Sequence, residues 1–499
     1  MIFAVCRHAL DCPFAIYISF DAKTHSFLLR RYNAQCIHME SSKRHLAKSS
    51  EWSSLKYSTI LRQPNVSSSV IISMIKEDLG IDVTPSNICR ARKLLVKKDV
   101  FEKDSSFQYL RSYCSKVIQS GGVAVLELHG DNTFKRIFIC HEACIFGFTF
   151  LRKIVSLDGA HTKNNFKSQI LTAVGLDSEN QLFIVAFSIV DVENIDNWTW
   201  FLTNLMSSIG NLDDLENSLD GYHFISDRHK GLLTAVERAF PKVLHLMCMK
   251  HLERNIRRFC RDIRVNTLFK KCVYSRSLEK LTEYMNGIRD ISLVTYNYLL
   301  ALDCKLWTNA VFTGPRYGIV TSNSSESLNN KIMKFRHMLP LGAIKGISTC
   351  IMEYHFERRN IGWTSSVSKK VSKILTDNSK FGRRSQVSVS SDFEGIVTHN
   401  SVEFRVNLTD KFCSCERFQD MQYPCSHACG FILSRGLSLE DYVSDFYKRE
   451  CYSNTYSHSV PAIVFFDLDV DESDNVKAPQ KIIQRGKPKR RRIESSGER

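Results

Sequence analysis

The middle of the chain, residues 120–250, is built from short apolar runs separated by turn residues. Runs of this length, rich in Val, Ile and Phe and bounded by Gly, Asp or Asn, predict β-strands. The predicted strands are GVAVLEL, RIFIC, IVSLDG, SQILTAVGL, QLFIVAFSIV and HFISD. The third, fourth and fifth runs follow one another closely, as the strands of an antiparallel meander would. Before the last run, NWTWFLTNLMSSI has the apolar spacing of a helix.

The other patterned segments are mainly helical. Residues 251–312 carry long helical runs without a clear strand. Residues 66–98 predict two helices, the second capped by Thr84 or Ser86 with Pro85 just inside it. Such a pair either docks on DNA or forms a plain helical hairpin. Further strand-like runs are AIYISF and SFLLRRY near the start, and GIVTH and EFRVNL in a second mixed region, residues 393–460.

Composition places the chain among ordinary globular proteins. It has 499 residues, of which 43% are hydrophobic and 24% charged, enough for about three or four domains. No apolar stretch approaches the roughly 18 residues of a membrane span. The first residues lack the basic start and cleavage site of a convincing signal peptide. The 17 cysteines are therefore interpreted as thiols and metal ligands rather than disulfides.

The charge balance favours a polyanionic partner. Lys and Arg number 68 against 52 Asp and Glu, a net charge of +16, and each neutralised phosphate releases counterions. Basicity alone does not separate nucleic-acid binding from a solvated basic surface. The chain ends by switching from acidic DLDVDESD to basic KPKRRR, a composition that predicts a disordered tail.

Carboxylates close two of the predicted strands. Asp158 ends the apolar run IVSLD, and Asp227 ends HFISD. A third carboxylate, Glu326, lies early in the helical segment TSNSSESLNNKIMKFR, which begins with Ser and Asn as caps. Taken singly, each acid is better explained as a strand end or a cap that faces water. Together they are the type of ligand that a pair of divalent cations prefers.

Two-metal chemistry gives this trio a use. Two divalent ions roughly 3.5–4 Å apart can activate one oxygen and stabilise the departing one in phosphoryl transfer. Without cations the three acids would repel one another, so we expect raised pKa values at the empty site.

Two Cys/His clusters have the character of metal sites. Near the C-terminus, Cys413-x-Cys415 and Cys425-x-His427 form two close pairs that can close a tetrahedron around Zn²⁺. Cys429, one helical turn after Cys425, is expected to be a packing residue. At the N-terminus, Cys6 and Cys12 are followed by Cys36-x-His38, a second, weaker candidate for zinc.

Residues 150–340 resemble the Mutator-like element (MULE) transposases, DDE enzymes with a ribonuclease H-like core. The matching segments are LDGAHTK, LTAVGLDSENQLFIVAFSIVDVEN, NWTWFLTNL, FISDRHKGLLTAVERAFP, HLMCMKHLERNI and SNSSESLNNKIMKFRHMLP. The resemblance implies that Asp158, Asp227 and Glu326 are the catalytic, metal-binding triad. It implies an α/β fold, with a ribonuclease H-like mixed-sheet core that a helical block at about 255–315 interrupts.

The same resemblance assigns roles to four further side chains. The family carries a Cys-x-x-His pair after the second Asp, which corresponds here to Cys248 and His251. A structural or substrate-positioning role is favoured over metal binding, because two ligands at helical spacing do not make a zinc site. Trp198 and Trp200 are expected to anchor their helix on the sheet.

The zinc clusters also resemble family modules. The downstream spacing is similar to the SWIM zinc finger, CxC…CxH, which MULE transposases often carry at this place. The N-terminal one is similar to a WRKY-like finger, with two departures: its last ligands run Cys then His, and the chain begins only five residues before Cys6. The expectation is a remnant of this finger and a start that is truncated or mis-annotated.

Candidate DNA contacts lie beside Asp227 and in the tail. Arg228 and Lys230 could meet phosphates, although charges at a helix start are often only solvated. In the tail, RGKP resembles an AT-hook core and KPKRRR suits a nuclear localisation signal. Nuclear import is favoured, because Lys487 stands where the hook has Arg; Arg485 and Arg490 are the other candidate contacts.

The sequence therefore predicts a nuclear DNA transposase that cuts terminal inverted repeats and joins 3′-hydroxyl ends to target DNA. Zn²⁺ at one or two sites, two Mg²⁺ or Mn²⁺ ions, double-stranded DNA and a homo-oligomer are implied, without a membrane. A domesticated DNA-binding transcription regulator is the rival; a dead genomic copy and a generic nuclease are further alternatives. The expected domains are a finger remnant (1–45), a helical DNA-binding region (55–118), the catalytic core (119–345), a SWIM region (385–460) and a disordered tail (465–499).

Overall fold

The computed structural model describes two compact units, Met1–Asp99 and Val100–Arg499, which are treated separately. The described residues are 2–5, 15–21, 26–33, 66–79, 83–89, 104–210, 221–227, 230–312, 314–359, 362–363, 365–470 and 475–480. The candidate zinc ligands Cys6, Cys12, Cys36 and His38 lie outside them.

The first unit combines a small sheet with helices. The strands β1 (Ile2–Val5), β2 (Ala15–Asp21) and β3 (Ser26–Asn33) form an antiparallel sheet in chain order. Helix α1 (Ser68–Leu79) buries Ile71 and Ile75 at helical spacing. A short helical turn follows at 85–89, and the Asn87 amide donates to Thr84 Oγ1 at 3.2 Å. Thr84 is thus the helix cap, one of the two predicted residues.

The second unit is organised around one mixed sheet of seven strands, in the order β10-β9-β6-β7-β8-β5-β4. Its strands are β4 (Val123–Leu128), β5 (Phe134–Cys140), β6 (Ile154–His161), β7 (Gln169–Leu176), β8 (Leu182–Val190), β9 (His223–Ser226) and β10 (Leu244–Met247). The predicted meander is confirmed, since β6, β7 and β8 pair antiparallel. β9 and β10 add to the other side of β6 in parallel.

Helices cover this sheet and extend beyond it. The α-helices of the second unit are α2 (Leu110–Gln119), α3 (Glu142–Phe148), α4 (Ile195–Ile209), α5 (Lys230–Ala239), α6 (Met249–Phe259), α7 (Ile263–Tyr274), α8 (Leu278–Ile291), α9 (Leu293–Leu300), α10 (Asn323–Lys331), α11 (Pro340–Arg359), α12 (Lys369–Gly382), α13 (Arg417–Met421), α14 (Ser426–Ser434) and α15 (Arg449–Thr455). Short 3₁₀ helices occur at Asp104–Tyr109, Cys304–Leu306, Met333–His337, Leu439–Tyr442, Asp445–Tyr447 and Phe465–Asp467. The chain is therefore α/β, as predicted. None of the described helices combines the length and apolar character that a bilayer span requires.

The main core lies against the mixed sheet. Trp198 on α4 is fully buried there, and Phe201 packs against it with ring centroids 5.7 Å apart. Trp200 is partly buried, and the Arg136 guanidinium lies 4.6 Å from its ring centroid. Both tryptophans hold α4 to the sheet, as predicted.

A second hydrophobic cluster belongs to the helices that follow β10. Leu252 and Ile256 of α6 pack with Val265 and Phe269 of α7 and with residues of α8 and α9. These helices stand between Asp227 and Glu326 in the sequence, in the segment where a helical block is expected.

The C-terminal region carries its own sheet. The strands β11 (Gln386–Val389), β12 (Glu394–His399), β13 (Val402–Asn407) and β14 (Phe412–Cys413) pair antiparallel in chain order. Val397, Val406 and Phe431 form a separate small core between this sheet and α14.

Two stretches of the expected tail, residues 465–470 and 475–480, are described by the structure, and both contact the rest of the second unit. Leu468 is 7% exposed and Val476 is 2% exposed, and both join the main core. The Phe134 amide also donates to the Lys477 carbonyl at 2.9 Å. The few apolar residues among the acids are sufficient to fix this part of the expected tail onto the sheet.

Candidate active site and zinc centre

The parallel strands bring three chemically active residues to one edge of the sheet. β6, β9 and β10 run in the same direction, so their carboxyl ends meet at that edge. Asp158 lies in the second half of β6, Asp227 directly follows β9, and Cys248 directly follows β10. A crevice at the carboxyl ends of such strands is a common place for ligands to bind.

Asp158 is held by two hydrogen bonds. Its Oδ1 accepts from the Gly159 amide at 3.0 Å, and its Oδ2 accepts from the Asn329 side chain at 2.8 Å. Burial, followed by the negative charge of Asp227, raises the pKa of Asp158 to about 7. The predicted rise in pKa from repulsion between carboxylates is thus present at Asp158, but burial is the larger cause.

Glu326 reaches the site on α10, which is fixed to β6. Ser325 Oγ donates to Ser156 Oγ at 2.7 Å in a buried contact, and Asn329 contacts Asp158 on the next turn. The Glu326 side chain is 39% exposed and pairs with Lys250 Nζ at 3.4 Å. Ser322 thus stands at the predicted N-cap position, but its side chain does not form the capping hydrogen bond.

The three acids do not close into a compact ligand set. Their oxygens do not all lie within 4.8 Å of one another; within the described ranges, Cys413, Cys415, Cys425 and His427 are the group of metal-ligand type that meets this distance. Asp158 and Asp227 are close enough to interact electrostatically. Glu326 shares their edge of the sheet but is directed to Lys250.

A fourth carboxylate, Glu193, lies beside Asp158 and was missed by sequence reasoning. A Cβ atom at position 159 would lie 2.9 Å from the Glu193 carboxylate, so the absence of a side chain at Gly159 leaves room for that carboxylate. Trp198 Nε1 donates to Glu193 Oε1 at 3.2 Å, and the Glu193 charge adds to the raised pKa of Asp158. The available signal was an acid following the third meander strand, in IVDVEN.

Cys248 and His251 form a hydrogen-bonded pair at the start of α6. Burial raises the pKa of Cys248, but hydrogen bonds from His251 and Ser322 outweigh it and lower that pKa to about 7. The same contact raises the pKa of His251. The Ser322 amide donates to Cys248 Sγ at 3.3 Å, so the pair ties the start of α10 to the start of α6.

The four C-terminal ligands converge as predicted. Cys413 Sγ lies 3.7 Å from His427 Nδ1, and Cys415 Sγ lies 3.5 Å from Cys425 Sγ. β14 supplies Cys413, and Cys425 caps α14 by accepting from the Ala428 amide at 3.5 Å. Three thiols and one imidazole at this separation fit a tetrahedral Zn²⁺ ion.

Two neighbouring residues complete the surroundings of this zinc centre. Phe404 stacks on the His427 ring with centroids 3.7 Å apart, which fixes the ring plane. Cys429 is fully buried and its Sγ donates to the Pro424 carbonyl at 3.6 Å. Cys429 is thus a packing residue, as expected.

Several candidate DNA contacts fall beyond what the structure describes. Arg228 lies outside the described residues, as do Arg485, Lys487 and Arg490 of the tail. Lys230 begins α5, and the position of its side chain is not described. These assignments stay predictions.

The fold and site define an α/β protein with paired aspartates at the carboxyl edge of its sheet and a separate Cys₃His zinc centre. Residues 154–255 match the model of the MULE transposase domain, and residues 404–436 match that of the SWIM zinc finger. The chain thus carries both modules, which confirms the resemblance seen in the sequence.

Two bacterial proteins are similar over a shorter stretch. They are transposases for insertion sequence element IS256 in transposon Tn4001, from Staphylococcus aureus and from Enterococcus faecalis. Each is 33% identical to this chain over 85 residues, which is 17% of this chain and 20% of the relative. The similarity thus spans about one fifth of the length of these relatives.

Proposed function

We propose that the protein is a DDE-type DNA transposase of the Mutator-like class, which cuts DNA at terminal inverted repeats and joins the 3′-hydroxyl ends to target DNA. The observation that carries this proposal is the placement of Asp158 in β6 and of Asp227 directly after the adjacent parallel strand β9, inside the matched MULE domain. A ribonuclease H-like core is supported by the sheet order, in which an antiparallel meander is followed by two parallel strands.

The acidic residues fit a pair of divalent cations in their chemistry. Asp158 is a partly buried carboxylate whose pKa is raised by burial and by the charge of Asp227, and a bound divalent cation would offset both effects. Asp158, Asp227 and Glu326 would hold Mg²⁺ or Mn²⁺. To bind the ion, Glu326 would break its ion pair with Lys250. When bound, the two cations would stabilise charge on the attacking and leaving oxygens of a phosphodiester.

The protein's own residues supply orientation. Asn329 fixes one carboxylate oxygen of Asp158 by a hydrogen bond from α10. The other oxygen accepts from the Gly159 amide, which belongs to the same strand as Asp158. Ser325 holds α10 against β6, so Glu326 stays within reach of the same edge. The Cys248–His251 pair positions α6 relative to α10. We assign it this structural role and no metal.

Zinc would stabilise the fold of the SWIM centre and would take no part in phosphoryl transfer. Four ligands from β14, the following turn and α14 hold a small domain whose hydrophobic core is separate from that of the main sheet. A structural Zn²⁺ contributes directly to the stability of such a domain. DNA binding, assembly into a homo-oligomer that holds two DNA ends, and location in the nucleus complete the proposal.

A second function, a domesticated DNA-binding regulator without catalysis, is favoured by one observation. Glu326 is paired with Lys250 at 3.4 Å, and the three acids are not gathered within 4.8 Å. A protein of this kind would bind DNA with the same architecture and leave it uncut.

A strand-cleavage assay separates the two functions. The full-length protein is incubated with DNA that carries the element's own ends and with Mg²⁺ or Mn²⁺, beside Asp158→Asn and the exposed control Asp290→Asn. We expect the wild type and Asp290→Asn to nick the DNA and Asp158→Asn to be inactive. Equal cleavage by Asp158→Asn removes the site assignment. DNA binding without cleavage by the wild type supports the regulator.

A further inference from the structure

Helix α6 presents one strongly basic face to solvent. Lys250, Arg254, Arg257 and Arg258 are all exposed, whereas Leu252 and Ile256 are buried. At 3.6 residues per turn, the four cations fall on one side of the helix and the two apolar residues on the opposite side. The face formed by these four residues is called the basic face below.

The basic face is only partly neutralised by carboxylates. Arg257 pairs with Glu253 at 2.7 Å, and Lys250 pairs with Glu326 at 3.4 Å. Glu253 is itself shared, because Lys270 Nζ approaches it at 3.8 Å. Across the described ranges, Arg254 and Arg258 have no carboxylate oxygen within 4.0 Å. Positive charge is therefore in excess along this helix.

The basic face begins at the candidate active site. α6 starts immediately after Cys248, at the edge of the sheet that carries Asp158 and Asp227. Its first turn includes His251, whose pKa is raised mainly by its hydrogen bond to Cys248, with smaller opposing effects from the charges of Asp227 and Arg254. The helix then extends for 11 residues, or about 16 Å at 1.5 Å per residue. Along the axis of a duplex, one strand carries a phosphate about every 3.4 Å, so a helix of this length can reach several phosphates.

A cluster of carboxylates repels a polyanion, so an acidic site that acts on DNA needs positive charge beside it. Arginine suits this purpose because its guanidinium matches phosphate oxygens in pairs and is always charged. An acidic peptide would be attracted by the same charges, but it offers no reason for the face to start at a phosphoryl-transfer site.

We propose that the basic face of α6 binds the phosphate backbone of the DNA strand that enters the site, with Arg254 and Arg258 as its main contacts. The proposal rests on the transposase function inferred above and deepens it by placing the DNA. Because the contacts are to phosphates, they are independent of base sequence.

The test is the salt dependence of DNA binding by full-length protein. The variant Arg254→Gln/Arg258→Gln is compared with the wild type and with Lys280→Gln/Arg289→Gln, which removes two exposed charges from α8. Fluorescence anisotropy with a labelled duplex of arbitrary sequence gives the Kd over a range of KCl concentrations. Each lost phosphate contact lowers the slope of log K against log salt by about 0.9.

We expect Arg254→Gln/Arg258→Gln to bind the duplex at least tenfold more weakly at low salt, with a slope smaller by about 2. The control should keep the wild-type slope. Mn²⁺ affinity by calorimetry should be the same in all three proteins, because the carboxylates are untouched. The proposal is overturned if the slope for the α6 variant equals that of the control. It is also overturned if the α6 variant binds a poly-glutamate probe more weakly while its DNA binding is unchanged. If the slope falls in the α6 variant but the wild-type protein never cleaves DNA, the basic face is supported as a DNA-binding surface and only the enzymatic function is refuted.

Discussion

The side-chain amide of Asn329 donates to the Asp158 carboxylate at 2.8 Å and so joins α10 to β6 across the candidate active site. The contact lies one helical turn from Glu326, on the same helix. Asn329 therefore controls both the orientation of the first acid and the approach of the third.

Substitution of Asn329 by Ala should lower cleavage. Groups that orient a metal ligand typically change metal affinity or activity by about 10–100-fold when removed. We expect a loss of that size in the DNA-cleavage rate and weaker Mn²⁺ binding by calorimetry. The neighbouring Asn330→Ala is the control, because Asn330 is exposed. Wild-type Mn²⁺ affinity in Asn329→Ala would show that this hydrogen bond does not support the site.

Asp158→Asn should stabilise the protein at high pH when Mg²⁺ and Mn²⁺ are absent. The folded pKa of Asp158 is raised from 3.8 to about 7, so the folded state holds this proton more tightly than the unfolded chain does. The stability that the protonated acid contributes is therefore complete below about pH 4 and is lost as the pH rises through about 7. At about 1.4 kcal/mol per pKa unit, the loss has an upper bound of about 4 kcal/mol.

Thermal denaturation from pH 4 to pH 8 measures this effect. The midpoint of Asp158→Asn should exceed that of the wild type at pH 8 by several degrees, at about 2–4 °C per kcal/mol. The two midpoints should converge near pH 4. Added Mg²⁺ should remove the difference at pH 8 by stabilising only the wild type. A constant offset across the whole range would mean that the charge of Asp158 is not the cause.

Removal of nearby negative charges should lower the pKa of Asp158 in a fixed order. Asp227 has a larger effect on this pKa than Glu193 has, so Asp227→Asn should shift it further than Glu193→Gln. The pH midpoint of the stability change described above reports the shift. Asp191→Asn, an exposed acid near Glu193, serves as the control. The reverse order of the two shifts would place Glu193, rather than Asp227, nearer to Asp158.

The zinc centre could be predicted because its geometry is set locally, and the two aspartates because each follows an apolar run, although β6 continues past Asp158 to His161. The four zinc ligands fall within one short segment, so their spacing alone brings them together. Asp158 and Asp227 each close an apolar run, and parallel pairing of β6 and β9 places both at one edge. The periodicity of the intervening segments was sufficient to predict the meander.

Other features depend on contacts that no local pattern encodes. The Glu193 carboxylate lies directly over Gly159, where the absence of a side chain leaves it room beside Asp158. β10 is four residues long, LHLM, and is too short to give a periodic signal. The packing of Leu468 and Val476 on the core was hidden by the acidic residues around them. In each case the partner is distant in sequence, and composition describes only the local chain.

The SWIM centre is coupled to the segment that leads to Glu326. Asp420 lies on α13, between the two pairs of zinc ligands, and its carboxylate pairs with Arg276 of the helical block. The Arg316 amide donates to Asp420 Oδ1 at 3.1 Å, and the Tyr317 amide donates to the Asp420 carbonyl at 2.9 Å. Arg316 is only 2% exposed, and burial lowers its pKa to about 10 against the opposing charge of Asp420.

Loss of zinc should therefore loosen the structure beyond the SWIM zinc finger itself. Without the ion, Cys415 and Cys425 no longer fix the ends of the segment that carries Asp420, and Arg276 and Arg316 lose their shared counter-charge. Breaking a buried ion pair by removal of one partner costs about 3–5 kcal/mol. Cys425→Ser and Asp420→Ala should thus both loosen residues 314–322, which precede α10.

Hydrogen–deuterium exchange of full-length protein measures this coupling. We expect faster amide exchange in residues 314–322 in zinc-depleted wild type, in Cys425→Ser and in Asp420→Ala, with β4 and β5 unchanged as the internal reference. Asp420→Ala should keep its zinc, which separates loss of the ion pair from loss of the metal. DNA cleavage should fall in parallel, because Ser322 ends this segment and Glu326 lies on the helix that follows it. If faster exchange after zinc removal is confined to residues 404–436, the finger is an independent module and Asp420 does not couple it to the site.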